Sequence, residues 1–161
     1  YFNKSIASAI PVYVMNYADV CFLKAEAALE GWGATTSQAA QFYSDGVKAA
    51  LAMAPYNIST VPPAYTGELT LSGTKNQQLE KIMTQRWINL FTRSIDAYLE
   101  WRRTGYPILM PGKNLGSTNG TIPRRNAYPS DETILNAANY KEAVSRLSDG
   151  DTYTSRIWID K

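Results

Sequence analysis

Two arginine pairs are the residues in this 161-residue chain best suited to chemistry. Arg102-Arg103 and Arg124-Arg125 each stand a few residues ahead of a Tyr-Pro, Tyr106-Pro107 and Tyr128-Pro129. A guanidinium fork matches the two oxygens of a carboxylate or phosphate, so four of them could build an anion site. Acidic residues flank both pairs, however. The same forks then serve as internal clamps on Glu100, Asp131, Glu132 or loop carbonyls, and we favour this structural reading. The stretch from Trp101 to Glu132 has too few periodic apolar positions for a helix and too many turn formers for plain sheet. It reads as an ordered, arginine-clamped loop laid over a helical body. At least one of the four arginines is expected in a buried or partly buried carboxylate pair.

Other chemistries find little support. The chain has no histidine, so neither a Ser-His-Asp nor a Cys-His site can be built, and nor can a His-ligated zinc site. Its single cysteine, Cys21, lies in a helical run between Val20 and Phe22 and reads as a buried free thiol. A glycosidase needs two carboxylates on opposite sides of one bond, whereas Glu26 and Glu30 share one helix face. The expectation is a protein that is not an enzyme, with no catalytic residue, metal or cofactor. Lys and Arg exceed Asp and Glu by 16 to 14, and no basic run is longer than two, which is no nucleic-acid footprint. Eleven tyrosines and four tryptophans either line a surface for sugars, peptides or partners, or fill wide gaps between helices with their polar tips wet. No apolar window is long enough to span a membrane. Tyr1-Phe2-Asn3 reads as a start inside a longer protein, and no signal peptide is seen.

The elements that must position these groups are mostly helices. Asn16 caps a first helix over Tyr17 to Glu30, with Asp19 closing a capping box, Met15 and Val20 as a staple, and Gly31 as the stop. Thr35 with Gln38 caps a second helix ending near Pro55, with Ala39, Tyr43, Val47, Ala50 and Leu51 on one face. Phe42, Ala49 and Met53 form a second apolar line, expected to stay exposed in the isolated chain or to be covered by a second copy. The two helices have the size of one tetratricopeptide unit, which cannot bury its faces alone. A loop over Asn57 to Gly73 contains a possible strand at Glu68 to Leu71. Thr74 with Gln77 caps a third helix bearing Leu79, Ile82, Met83, Trp87, Leu90 and Phe91, and Ser94 caps a fourth, about Ile95 to Arg103. A further helix is expected over Glu132 to Leu147, and Arg156 to Asp160 alternates as a strand does. The residues 1–15 ahead of all this read as an extended lead-in.

Several motifs together resemble the C-terminal part of the SusD/RagB family of outer-membrane nutrient-binding lipoproteins. They are Y-A-D-V-C-F-L-K-A-E-A-A-L-E-G-W from Tyr17, F-Y-S-D-G-V-K-A-A from Phe42, I-M-T-Q-R-W-I-N-L-F from Ile82, Y-L-E-W-R-R-T-G-Y-P from Tyr98 and I-P-R-R-N-A-Y-P-S-D-E from Ile122. N-A-A-N-Y from Asn136 and a terminal G-D…W-I-D complete the set. Family members tend to end on a double tryptophan where Trp158 is followed here by Ile159, and many carry Lys where Arg86 stands.

The resemblance implies a mainly α, SusD-like fold: a TPR-like helical hairpin plus further helices and long ordered loops. Residues 1–161 would form a single domain matching the last third or so of longer proteins, with the N-terminal part absent. It implies binding of a nutrient such as an oligosaccharide at the outer-membrane cell surface, for delivery to a SusC-like TonB-dependent transporter. A lipid anchor would belong to the missing N-terminal part. The alternative is a structural scaffold that docks the transporter without touching ligand. Tyr65 and Tyr106, on loops between Pro and Gly, are the candidate sugar-stacking residues; no binding residue is carried over from the family. Ring exposure separates the two readings, since exposed aromatics lining one concave site favour binding and buried rings favour the scaffold.

Overall fold

The computed structural model describes residues 11–160. The lead-in lies outside the described residues as far as residue 10, and Tyr1 to Asn3 with it; residues 11–13 are irregular. The chain divides into two compact units, Tyr1–Ala97 and Tyr98–Lys161. Among the described residues the regular structure is entirely helical, with no strand, as a mainly α protein requires. No helix among them is long and apolar enough to cross a membrane.

The first unit holds α1 (Tyr17–Glu30), α2 (Thr36–Ala52), a 3-10 helix (Pro63–Leu69), α3 (Lys75–Asn89) and the start of α4 (Ser94–Thr104). Local sequence sets the helix ends. Asn16 Oδ1 accepts from the Asp19 N–H at 2.9 Å, and Asp19 Oδ2 accepts from the Asn16 N–H at 3.1 Å, a reciprocal cap. Gln38 Oε1 accepts from the Thr35 N–H, and Gln77 Oε1 from the Thr74 N–H. Gly31 turns α1 off at φ 81°, where its N–H reaches the Ala28 carbonyl and that of Trp32 the Ala27 carbonyl. Met15 and Val20 are both exposed, so the expected staple is not what secures this end.

α1 is the centre of the unit and packs on both α2 and α3. Its small residues Ala18, Ala25 and Ala28 are buried, as are Phe22 and Leu29. They meet Ala39, Tyr43 and Val47 of α2, with Leu79, Ile82 and Met83 of α3 completing the core. The closest approach is at Gly46, where a Cβ would lie 2.8 Å from the Phe22 ring. Cys21 is a buried free thiol, as its position in the helix implied. Phe42, Ala49 and Met53 are neither bare nor buried: each is half-exposed, and Lys24 Nζ sits 4.1 Å from the Phe42 ring centre. Glu68 and Leu69 belong to the 3-10 helix, not to a strand.

The second unit holds the rest of α4, a 3-10 turn (Gly116–Thr118), α5 (Glu132–Leu135) and α6 (Ala137–Ser145). The single helix expected over Glu132 to Leu147 is broken at Asn136, with φ −137° and ψ 38°. Its side chain donates to Glu132 Oε2 and accepts from Asn139 Nδ2, local bonds that compete with the helix backbone. Residues 156–160 form a turn closed by the Asp160 N–H on the Ile157 carbonyl. The buried residues of this unit are largely polar: Arg102, Thr104 and Ser155 join Trp101. Hydrogen bonds therefore take much of the role that apolar packing has in the first unit.

Candidate functional site

The arginine-rich stretch builds one polar centre in the second unit, and its focus is Asp160. The carboxylate of Asp160 accepts from Arg102 Nε at 2.9 Å and Nη2 at 3.1 Å, from Arg124 Nη1 at 3.1 Å, and from the Ile157 N–H at 2.8 Å. Its side chain is 0% exposed. Burial alone would raise its pKa, but the Arg102 hydrogen bonds, the Ile157 N–H and Arg124 together hold it below the usual carboxylate range. Arg102, in turn, is held more firmly protonated by its hydrogen bonds to Asp160.

α4 supplies the apolar floor under these charges. Tyr98 and Trp101 stack with ring centres 6.1 Å apart. The Arg124 guanidinium lies 4.5 Å from the Trp101 ring centre, and that of Arg102 lies 5.5 Å from Tyr98. The Tyr98 hydroxyl donates to the Pro123 carbonyl at 2.6 Å, which ties the loop carrying Arg124 to α4.

Arg125 uses a different acid. Its Nη1 pairs with Asp151 Oδ1, and its guanidinium lies 4.8 Å from the Tyr128 ring centre. Asp151 also accepts from the Tyr128 N–H at 3.1 Å and the Tyr140 hydroxyl at 3.2 Å. Burial raises the Asp151 pKa; Arg125, the Tyr128 N–H and Tyr140 outweigh it, so the net shift is downward. The Arg124 and Arg125 N–H groups both reach the Tyr153 carbonyl, which pins residues 124–125 to residue 153. Arg103 completes the set, pairing with Glu100 at 2.8 Å.

All four arginines therefore have internal carboxylate partners, and the expected buried pair is present twice on Asp160. Of the expected acids only Glu100 is used. Asp151 and Asp160 replace Asp131 and Glu132, and the Thr152 carbonyl is the loop carbonyl taken by Arg125. Both aspartates stand in the terminal G-D…W-I-D motif, which was the one signal that could have pointed to them. Chemically, a carboxylate with four donors and a depressed pKa is poorly suited to giving or taking a proton near neutrality. The arrangement fastens the chain; its forks are spent on internal acids.

The two tyrosines singled out for stacking lie apart in the chain and in different units. Tyr65 is half-buried in the 3-10 helix, where its hydroxyl exchanges hydrogen bonds of 3.1 and 3.2 Å with the buried Gln85 side chain. Tyr106 is half-buried after α4, and its N–H donates to Thr104 Oγ1. Among the described residues the most open rings are others: Trp158 is 92% exposed and Trp32 72%.

A second polar centre lies in the first unit. Asp19, buried near the start of α1, accepts from Asn89 Nδ2 at 2.8 Å and pairs with Arg93 Nη2. Arg93 Nη1 also reaches the Val14 carbonyl, and Asn16 and Asn89 bond side chain to side chain.

With this frame in place, the comparisons fit it to one family. A family model described as starch-binding and associating with the outer membrane matches residues 2–129, and the chain belongs to this SusD-like family. The chain is 34% identical to a SusD-like protein from Bacteroidetes AC2a, with a TM-score of 0.69, over 91% of this chain and 30% of that one. It is 38% identical to a chitin-binding protein, with a TM-score of 0.65, over 90% of this chain and 32% of the other. A chitin-binding SusD homologue from Flavobacterium johnsoniae is 29% identical, with a TM-score of 0.64, over 93% of this chain and 37% of that one. The chain thus spans about a third of the length of these relatives. A comparison with curated proteins gives no match.

Proposed function

We propose that this chain is part of a glycan-binding protein at the outer-membrane cell surface. There it delivers oligosaccharides to a SusC-like TonB-dependent transporter, and a lipid anchor belongs to a further N-terminal part. The observation that carries the reading is the family match over residues 2–129, joined by structural relatives described as chitin-binding. The role is binding and not catalysis, in keeping with the commitment of Asp151 and Asp160 to arginines. Tyr65 and Tyr106 are the stacking candidates within this chain.

A scaffold role, in which this chain docks the transporter and another segment holds the sugar, is favoured by one observation. The Tyr65 hydroxyl is already committed to Gln85, as a ring serving packing would be. Calorimetric titration with chito- and malto-oligosaccharides separates the two. Binding by this chain that weakens several-fold in Tyr65→Ala or Tyr106→Ala supports direct contact. Binding by the longer polypeptide but not by this chain establishes the scaffold.

A further inference from the structure

The first unit carries an apolar face that its own core does not use. Val12 and Val14 are 94% and 87% exposed, and Ile95 is 74% exposed. Met15 and Ile88 are exposed as well. Sequence separates these into two groups, residues 12–17 and residues 88–95, but hydrogen bonds join them. Arg93 Nη1 holds the Val14 carbonyl at 2.5 Å, and the Asn16 and Asn89 side chains bond at 3.2 Å. The two segments therefore lie side by side. Arg93, which joins the two segments, is already paired with Asp19 and Asp96. The side chains of Val12, Val14, Met15, Ile88 and Ile95 carry no N–H, O–H or charge, so they suit another apolar segment and offer a sugar hydroxyl nothing to bond.

We propose that this face, formed by Val12, Val14 and Met15 beside Ile88 and Ile95, is an internal interface that receives an apolar segment from a further portion of the same polypeptide. Length argues for that occupant over a second copy. About two-thirds of each structural relative has no counterpart in this chain, and that portion must pack against something. Contiguous exposed apolar patches beyond a few hundred Å² are uncommon on soluble monomers. The inference depends on the length of the relatives and not on any sugar being bound, so loss of glycan binding would leave it standing.

The test compares this 161-residue chain with the polypeptide made from its whole reading frame. Hydrogen exchange over residues 12–17 and 86–95 is expected to slow about tenfold or more in the longer polypeptide. Ile95→Ser with Val14→Ser is expected to leave the melting temperature of the 161-residue chain within about 1–2 °C, since both positions are exposed there, and to lower that of the longer polypeptide clearly. A reading frame with no further residues overturns the proposal. So does equal exchange in both forms, or protection that appears in the 161-residue chain only as it dimerises, which would make a second copy the occupant.

Discussion

Arg102 and Asp160 face each other as two parallel forks, Nε to Oδ1 at 2.9 Å and Nη2 to Oδ2 at 3.1 Å, 58 residues apart in sequence. Arg124 takes the same carboxylate from a second segment. Asp160→Ala would leave two guanidinium groups without their acid, and such losses cost about 3–5 kcal/mol when the pair is buried. Urea denaturation of the variant should show that loss. A cost below about 1 kcal/mol, typical of exposed pairs, would mean that the carboxylate is not a fastening point.

Acid should loosen the same unit. Asp151 and Asp160 both have folded-state pKa values below their ordinary ones, so the unfolded chain binds protons more readily. Their contribution is fully present above about pH 4, the usual aspartate range, and is lost as pH falls through the depressed folded values. Urea midpoints at pH 7, 5 and 3 are expected to hold between the first two and drop at the third. The drop should shrink in Asp151→Asn with Asp160→Asn, and a drop of unchanged size would assign it to other carboxylates.

Gly46→Ala sets two effects against each other. Alanine favours a helix interior by about 1 kcal/mol over glycine. The new Cβ would meet the fully buried Phe22 ring at 2.8 Å, and forced repacking of this kind costs about 1–3 kcal/mol. The clash should win, giving a net loss of about 1 kcal/mol. Phe22→Leu in the Gly46→Ala background should recover part of its own cost, and strict additivity of the two changes would count against the clash.

The ion pairs should divide by burial. Removing Asp19, whose side chain is 3% exposed and which pairs with Arg93, is expected to cost several kcal/mol, in the range of about 3–5. Removing Glu142, whose pair with Arg146 is 65–72% exposed, should cost about 0–0.5 kcal/mol. Thermal melts of Asp19→Ala and Glu142→Ala give the comparison directly. Equal losses would show that burial is not what ranks these pairs.

What could be read in the sequence was what acts over a few residues. The Asn16–Asp19 box, the Thr35–Gln38 bond and the Gly31 stop each join groups within one helical turn, so residue type and spacing suffice. The buried face of α1 followed from period alone, as did Leu79, Ile82, Met83 and Leu90 at α3; Phe91, read onto the same stripe, lies past the helix end and is 57% exposed, and Trp87 is half-buried. The arginine partners did not, because Asp151 and Asp160 lie 26 and 58 residues from Arg125 and Arg102. Spacing from the arginines does not distinguish them from Asp131 and Glu132; only the terminal G-D…W-I-D motif marks them. The alternation holds from Arg156 to Ile159, with Ile157 and Ile159 half-buried and Trp158 out, and Asp160 breaks it with a buried side chain. It became a turn because the Asp160 carboxylate captures the Ile157 N–H that a neighbouring strand would need. Asn136 broke a helix that apolar spacing alone had carried through.

The Arg102–Asp160 fork also sets a schedule during synthesis. When Arg102 leaves the ribosome, its acid is still 58 residues away. At roughly 5–20 residues per second, that is a wait of about 3–12 s. Through that interval Trp101, Arg102 and then Arg124 must remain without the group that closes them together. A nascent chain held with Asp160 still inside the ribosome should therefore leave this half open to proteases, and the emergence of Asp160 should shut it.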